Sequence, residues 1–134
     1  MRKNRIKLFI LLFWVFFSCR ENKYTPYQKI IDQTDFKKNK YKKILVIPNE
    51  GCSGCISSAT DYAVNNISKT DSIFIVFTNI HDIKKLKLSL RSFLSYKFVR
   101  LDTINHFSSS KIKSIYPQYW HIKNGKIIKI QNYN

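Results

Sequence analysis

At 134 residues the chain is one domain at most, and no internal repeat or low-complexity tract divides it. Lys and Arg outnumber Asp and Glu by 24 to 8, a net charge of +16. That surplus is not gathered into a basic block with interleaved aromatics, which argues against a nucleic-acid partner.

The first seven residues carry four positive charges and no acid, and an unbroken apolar run over residues 8–17 leads to Ser18-Cys19. A basic start, a short apolar stretch and a small residue before the cut are the parts of a secretory signal. Ten apolar residues are about half of what a spanning helix needs, so a permanent membrane helix is not expected. Phe16-Phe17-Ser18-Cys19 resembles the bacterial lipobox, with Phe16 where an aliphatic residue is usual. The resemblance implies that Cys19 is lipidated and becomes the first mature residue; the alternative is an ordinary signal peptide ending in a chance cysteine. The expected organisation is a lipoprotein signal over 1–18, a lipidated cysteine and tether over 19–40 with a short helix in it, and a folded domain over 41–134. The domain then lies in the cell envelope outside the cytosol, on the periplasmic side, where disulfides persist. Removing residues 1–18 takes away four of the 24 basic residues and none of the 8 acidic ones, which leaves +12. Such a charge suits anionic lipid surfaces or acidic partners; the plainer reading, preferred at this level, is a Lys-rich solvated surface.

In chain order, Thr25-Pro26-Tyr27-Gln28 reads as a helix start. Thr25 can cap, Pro26 suits the first helical position and Gln28 completes a capping box, giving a short helix over 26–33 that buries Ile30 and Ile31. Residues 44–47 are a continuous apolar run ending at Pro48, as in a strand buried on both faces. Residues 53–67 place Ile56, Ala59, Thr60, Ala63, Val64 and Ile67 at helical spacing. Residues 73–78 are β-branched and aromatic, a second buried strand. A basic amphipathic helix is predicted over 82–94, with Ile83, Leu86, Leu90, Phe93 and Leu94 on its apolar side, and a third strand over 98–101. A weaker helical segment covers 104–115, loosened by three consecutive serines. Strands over 117–122 and 127–130 then flank Asn124-Gly125, a strong hairpin signal. Strand, helix, strand, helix, strand, helix, hairpin describes an α/β protein with a mostly parallel sheet and an antiparallel edge.

Cys52-Ser53-Gly54-Cys55 falls directly after the first strand and opens a helix. Backbone N–H groups and the helix dipole at that point stabilise a thiolate, so the first cysteine is the candidate nucleophile. The second, one turn along, is placed to resolve a mixed disulfide. In this context the spacing reads as a redox motif.

Over residues 41–131 the sequence resembles the thioredoxin superfamily, and within it the membrane-anchored members of the bacterial envelope. The features that carry the resemblance are the Cys52–Cys55 pair after a strand, Phe98-Val99-Arg100-Leu101-Asp102 as an extra strand, and Tyr116-Pro117 opening a hairpin with Asn124-Gly125-Lys126. It implies a thioredoxin-like fold: a central mixed sheet flanked by helices, a C-terminal β-hairpin, and the family's final helix missing. It also implies that Pro117 is cis and faces the cysteines, and that Tyr116, with Ser53 and Gly54, meets the substrate. Gly51 stands where many members have Trp, and Val46 where cytosolic members bury a carboxylate; Glu50 falls at the strand end, in solvent.

Three functional readings follow. One is a thiol–disulfide oxidoreductase that exchanges disulfides with exported proteins through Cys52 and Cys55, is served by a membrane redox partner, is held to the membrane by the lipid on Cys19, and needs no cofactor. Another is a soft-metal protein binding Cu(I) through the two thiols and one of His81, His106 or His121. The last is a binding module with a static disulfide, in which Tyr119 and Trp120 near Pro117 are contact residues.

Overall fold

The central strand, β1 (Lys43–Pro48), is apolar at five of its six positions because both of its faces are covered. The computed structural model describes residues 23–34, 40–66, 72–109 and 111–133; the signal and lipidation expectations, Cys19 included, fall outside them, as does Ile67. β2 (Ile73–Thr78) pairs with β1 in parallel, from Lys43 opposite Ile73 to Pro48 opposite Thr78. β3 (Val99–Leu101) continues the sheet in parallel beyond β2. On the other side of β1 lies β4 (Gln118–Lys123), antiparallel, and then β5 (Lys126–Asn132). The sheet order is β3-β2-β1-β4-β5, and the helices are α1 (Thr25–Gln33), α2 (Ser53–Asn66) and α3 (Ile83–Ser89). The architecture is the expected α/β one, with a five-stranded mixed sheet.

Because side chains alternate along a strand, β1 sends Ile44 and Val46 to one face and Leu45 and Ile47 to the other. On the first face Phe74, Val76, Trp120, Ile122 and Ile127 complete a layer covered by Ile30 and Ile31 of α1 and by Phe107 and Ile112. Trp120 is its largest fully buried side chain, stacked on Phe107 with ring centroids 5.4 Å apart and met edge-on by Tyr27 at 5.1 Å. The second face is covered by Ala59 and Ala63 of α2 and by Leu90 and Phe93. α1, Phe107 and Ile112 thus cover one face of the sheet, and α2 with Leu90 and Phe93 the other.

Residues Ile30 and Ile31 are buried as expected, but Gln28 closes no capping box. Its side chain turns to the hairpin: Nε2 donates to the Gly125 carbonyl (3.0 Å) and to Asp32 Oδ1 (3.0 Å), while Oε1 accepts from the Ile127 N–H (2.9 Å). The turn it grips has positive φ at both Asn124 (51°) and Gly125 (72°), as a two-residue hairpin of type I′ requires.

Three expectations need correction. The helix predicted over 82–94 ends at Ser89 and gives way to a single 3-10 turn at Phe93–Ser95, which lets Leu90 and Phe93 both reach the core. Val64 of the α2 stripe is 44% exposed, since the two alanines one turn apart already bring the helix close to the sheet. Residues 104–109 and 111–115 form turns and bends instead of a helix. Asp102, buried at 5% exposure, captures the N–H groups of His106 (2.9 Å) and Phe107 (2.7 Å), and Thr78 Oγ1 also donates to it (2.8 Å). A side chain that takes local backbone donors offers the chain an alternative to helix.

Candidate functional site

At the C-terminal end of β1 the chain turns through Glu50 and Gly51 into α2. Gly51 has φ 138°, and a Cβ there would stand 2.8 Å from Ile115 Cα and 2.9 Å from its carbonyl carbon. The missing side chain lets the 114–116 segment lie against the turn, and Cys52 N–H donates to the Ile115 carbonyl (2.9 Å). The Cys52 carbonyl accepts the first helical bond, from Ile56 N–H (2.9 Å), so Cys52 sits immediately before the helix. The N–H groups of Ser53, Gly54 and Cys55 have no acceptor within the helix and concentrate its positive end at the sulfurs.

Cys52 and Cys55 form a disulfide, with Cα atoms 5.3 Å apart. Both cysteines are half-buried, and Ser53 and Gly54 between them are exposed. A Cβ at Gly54 would meet nothing within 4 Å, so the outer side of the motif is open to an incoming molecule. Ile115 (50% exposed) and Tyr116 (42%) border it and add apolar surface.

The expectation of a cis Pro117 is not met. No cis peptide bond occurs among the described residues, so the Tyr116–Pro117 bond is trans. The reversal that a cis bond would supply is made upstream, where Ser114 Oγ donates to the Tyr116 carbonyl (2.9 Å) and accepts from its N–H (3.1 Å). Pro117 itself is buried, and its carbonyl accepts from Tyr133 N–H (2.8 Å).

Glu50 lies in solvent at the strand end, as expected, and is not alone: His81 Nε2 lies 3.1 Å from Glu50 Oε2. The Glu50 carboxyl is held below the ordinary carboxylate range, first by this hydrogen bond, then by the charge of His81 and more weakly by Lys113. Val46 is buried in the core.

The three histidines do not converge. His81 pairs with Glu50, His106 follows Asp102 in its turn, and His121 faces Lys43 at the far end of β1. Among the described residues no three His, Cys, Asp or Glu side chains gather as metal ligands. Of the static module's contact residues, Trp120 is wholly buried and Tyr119 packs between Tyr133 and Lys43.

The contact of Gly51 and Cys52 with Ile115 was not anticipated from sequence; the signal for it was a glycine directly before the first cysteine. Asp102 was read as the end of a strand, although a short acidic side chain that can accept nearby backbone N–H groups competes with regular structure. Comparison with protein-family models, with curated proteins and with solved structures found no match to this chain. Among the described residues no helix is long and apolar enough to cross a membrane.

Proposed function

We propose that this chain is a lipid-anchored thiol–disulfide oxidoreductase of the bacterial cell envelope, of thioredoxin-like fold. The observation that carries the reading is the Cys52–Cys55 disulfide at the mouth of α2, half-exposed, at the C-terminal end of the central strand. The strand order β3-β2-β1-β4-β5, with β4 and β5 antiparallel, is compatible with that fold and supports it. In the reduced protein the Cys52 thiolate attacks one sulfur of a substrate disulfide. The substrate S–S bond breaks, a Cys52–substrate bond forms, and the departing thiolate takes a proton from solvent. Cys55, as thiolate, then attacks Cys52 Sγ and releases the second substrate thiol. The substrate has gained two electrons and the protein has lost two, closing the Cys52–Cys55 bond. The reverse sequence oxidises a substrate dithiol, and a membrane dithiol–disulfide partner returns the protein to its working state. Exported proteins are the substrates, because residues 1–19 read as a signal and anchor that place the domain among them.

Titration of residues 20–134 in glutathione buffers tests this. The core clusters are drawn from residues between Ile30 and Ile127, so this fragment contains them whole. A midpoint between about −120 and −270 mV is the expected result. A pair that stays oxidised below about −300 mV is a static disulfide, and the protein is then a binding module.

A further inference from the structure

The pole of the sheet opposite the disulfide carries a cavity of about 450 Å³ whose lining includes Tyr41, Lys42, Lys43, His121, Ile122 and Lys123. Among the described residues no carboxylate appears in that lining. Lys40 lies over the ring of Tyr41 at 5.5 Å, Lys126 pairs with Lys123 across the hairpin, and Lys129 pairs with His121. The described part of this pole therefore concentrates cations around an apolar, aromatic floor. His121 records the field: burial, then Lys43 and Lys129, hold its ring below the ordinary histidine range. Its Nε2 is buried and has no hydrogen-bond partner.

The chain also enters the fold here. Gln28 of α1 is bonded to Gly125 at the hairpin tip, so the N-terminal half of α1 lies at the same end as the lysines. Cys19 precedes Tyr24 by five residues, a reach of at most about 17 Å even when fully extended. β1 runs from Lys43 at this pole to Pro48 near the disulfide, about 17 Å away. A tether of that reach lets an anchor at residue 19 hold the basic end against the bilayer, with the cysteines at the far end of β1.

We propose that the Lys42–Lys43–Lys123 pole docks on anionic phospholipid headgroups, and so turns the Cys52–Cys55 pair outward from the membrane. The placement rests on the anchored reading above, but the affinity of the pole for lipid does not. A lipid on one cysteine leaves the domain free to turn about its tether, and an electrostatic attachment of this kind fixes its orientation. The phosphates meet Lys42, Lys43 and Lys123, while Tyr41 and the exposed Ile128 supply apolar contact.

The test uses residues 20–134, which lack Cys19, sedimented with phosphatidylcholine vesicles with or without phosphatidylglycerol. The wild-type fragment should bind only the vesicles that contain phosphatidylglycerol, and added salt should release it. Reversing Lys42→Glu with Lys123→Glu should weaken partition by about tenfold or more. Reversing Lys84→Glu with Lys85→Glu, on α3 near the disulfide end, should change it about twofold or less. Neutralising Lys42→Gln with Lys123→Gln gives a second variant should the reversed pair not fold, with circular dichroism as the check. Equal losses from both pairs would reduce the effect to net charge and overturn the proposal, as would binding indifferent to phosphatidylglycerol. Release by inorganic phosphate beyond that by chloride at equal ionic strength would mark a small-anion pocket, and would overturn it too. Glutathione titration of the same samples reads the exchange proposal separately, so either reading can fail alone.

Discussion

Cys52 donates its backbone N–H to the carbonyl of Ile115 at 2.9 Å, a contact possible only because residue 51 has no side chain. Sixty-three residues of sequence separate the two groups, and the bond fixes the segment before β4 against the cysteine loop. Gly51→Ala would meet Ile115 backbone and would have to hold φ 138° with a Cβ. It should cost about 2–4 kcal/mol in denaturant unfolding. Gly54→Ala, in open space on the first turn of α2, should be neutral or add up to about 1 kcal/mol.

The two cysteines should divide the work unequally. Cys52 precedes the helix and Cys55 lies within its first turn, so with the disulfide reduced Cys52 should alkylate faster near neutral pH. Cys55→Ala should accumulate mixed disulfides visible on non-reducing gels, and Cys52→Ala none. Equal, slow alkylation of both single mutants would point to a structural pair.

Asp102 accepts from Thr78, His106 and Phe107 while almost wholly buried. Asp102→Ala strands three donors and should destabilise by about 3–5 kcal/mol. Asp102→Asn keeps one acceptor oxygen and should lose less. Thermal or denaturant unfolding of the two variants separates the cases.

Acidification should weaken the fold through His121. Its ring is held below the ordinary range in the folded state by burial and by Lys43 and Lys129, so the unfolded chain takes up the proton first. The contribution of His121 is whole above about pH 6.5, and falls away as pH drops through the unfolded value toward the folded one. His121→Gln should flatten the slope of stability against pH in that window.

Cys19→Ala should leave an unprocessed or mislocalised precursor, and mass spectrometry of the wild-type membrane fraction should find acyl mass on the residue 19 peptide. Release of a soluble, unlipidated wild-type form would refute the anchor.

What was legible in the sequence was what local pattern controls. Strand β2 appears where its β-branched run lies, Ile30 and Ile31 are buried as their spacing required, and Asn124-Gly125 makes the hairpin. The Cys52–Cys55 pair at a strand-to-helix junction was legible for the same reason. What escaped depended on partners far along the chain. Gln28 had a local role available and took one about a hundred residues away, at Gly125 and Ile127. The turns after Asp102 follow from a buried carboxylate whose third donor, Thr78, lies on another strand. Tyr116–Pro117 followed the general trans preference of X–Pro bonds, not the family expectation.

The clamp between Gln28 and the hairpin tip orders events for a chain synthesised from its N-terminus. Helix α1 emerges before the sheet, yet its anchoring partners, Gly125 and Ile127, follow about a hundred residues later. Strand β1 likewise lacks one neighbour until β4 follows. Contacts of such long sequence separation delay closure until the hairpin has been made. A chain interrupted before Gln118 would keep the cysteine pair but lack Trp120 and the strand that pairs with β1 on that side, leaving the pair on an unfinished scaffold. The scaffold that holds the Cys52–Cys55 pair is therefore finished only once β4 and β5 have joined the sheet.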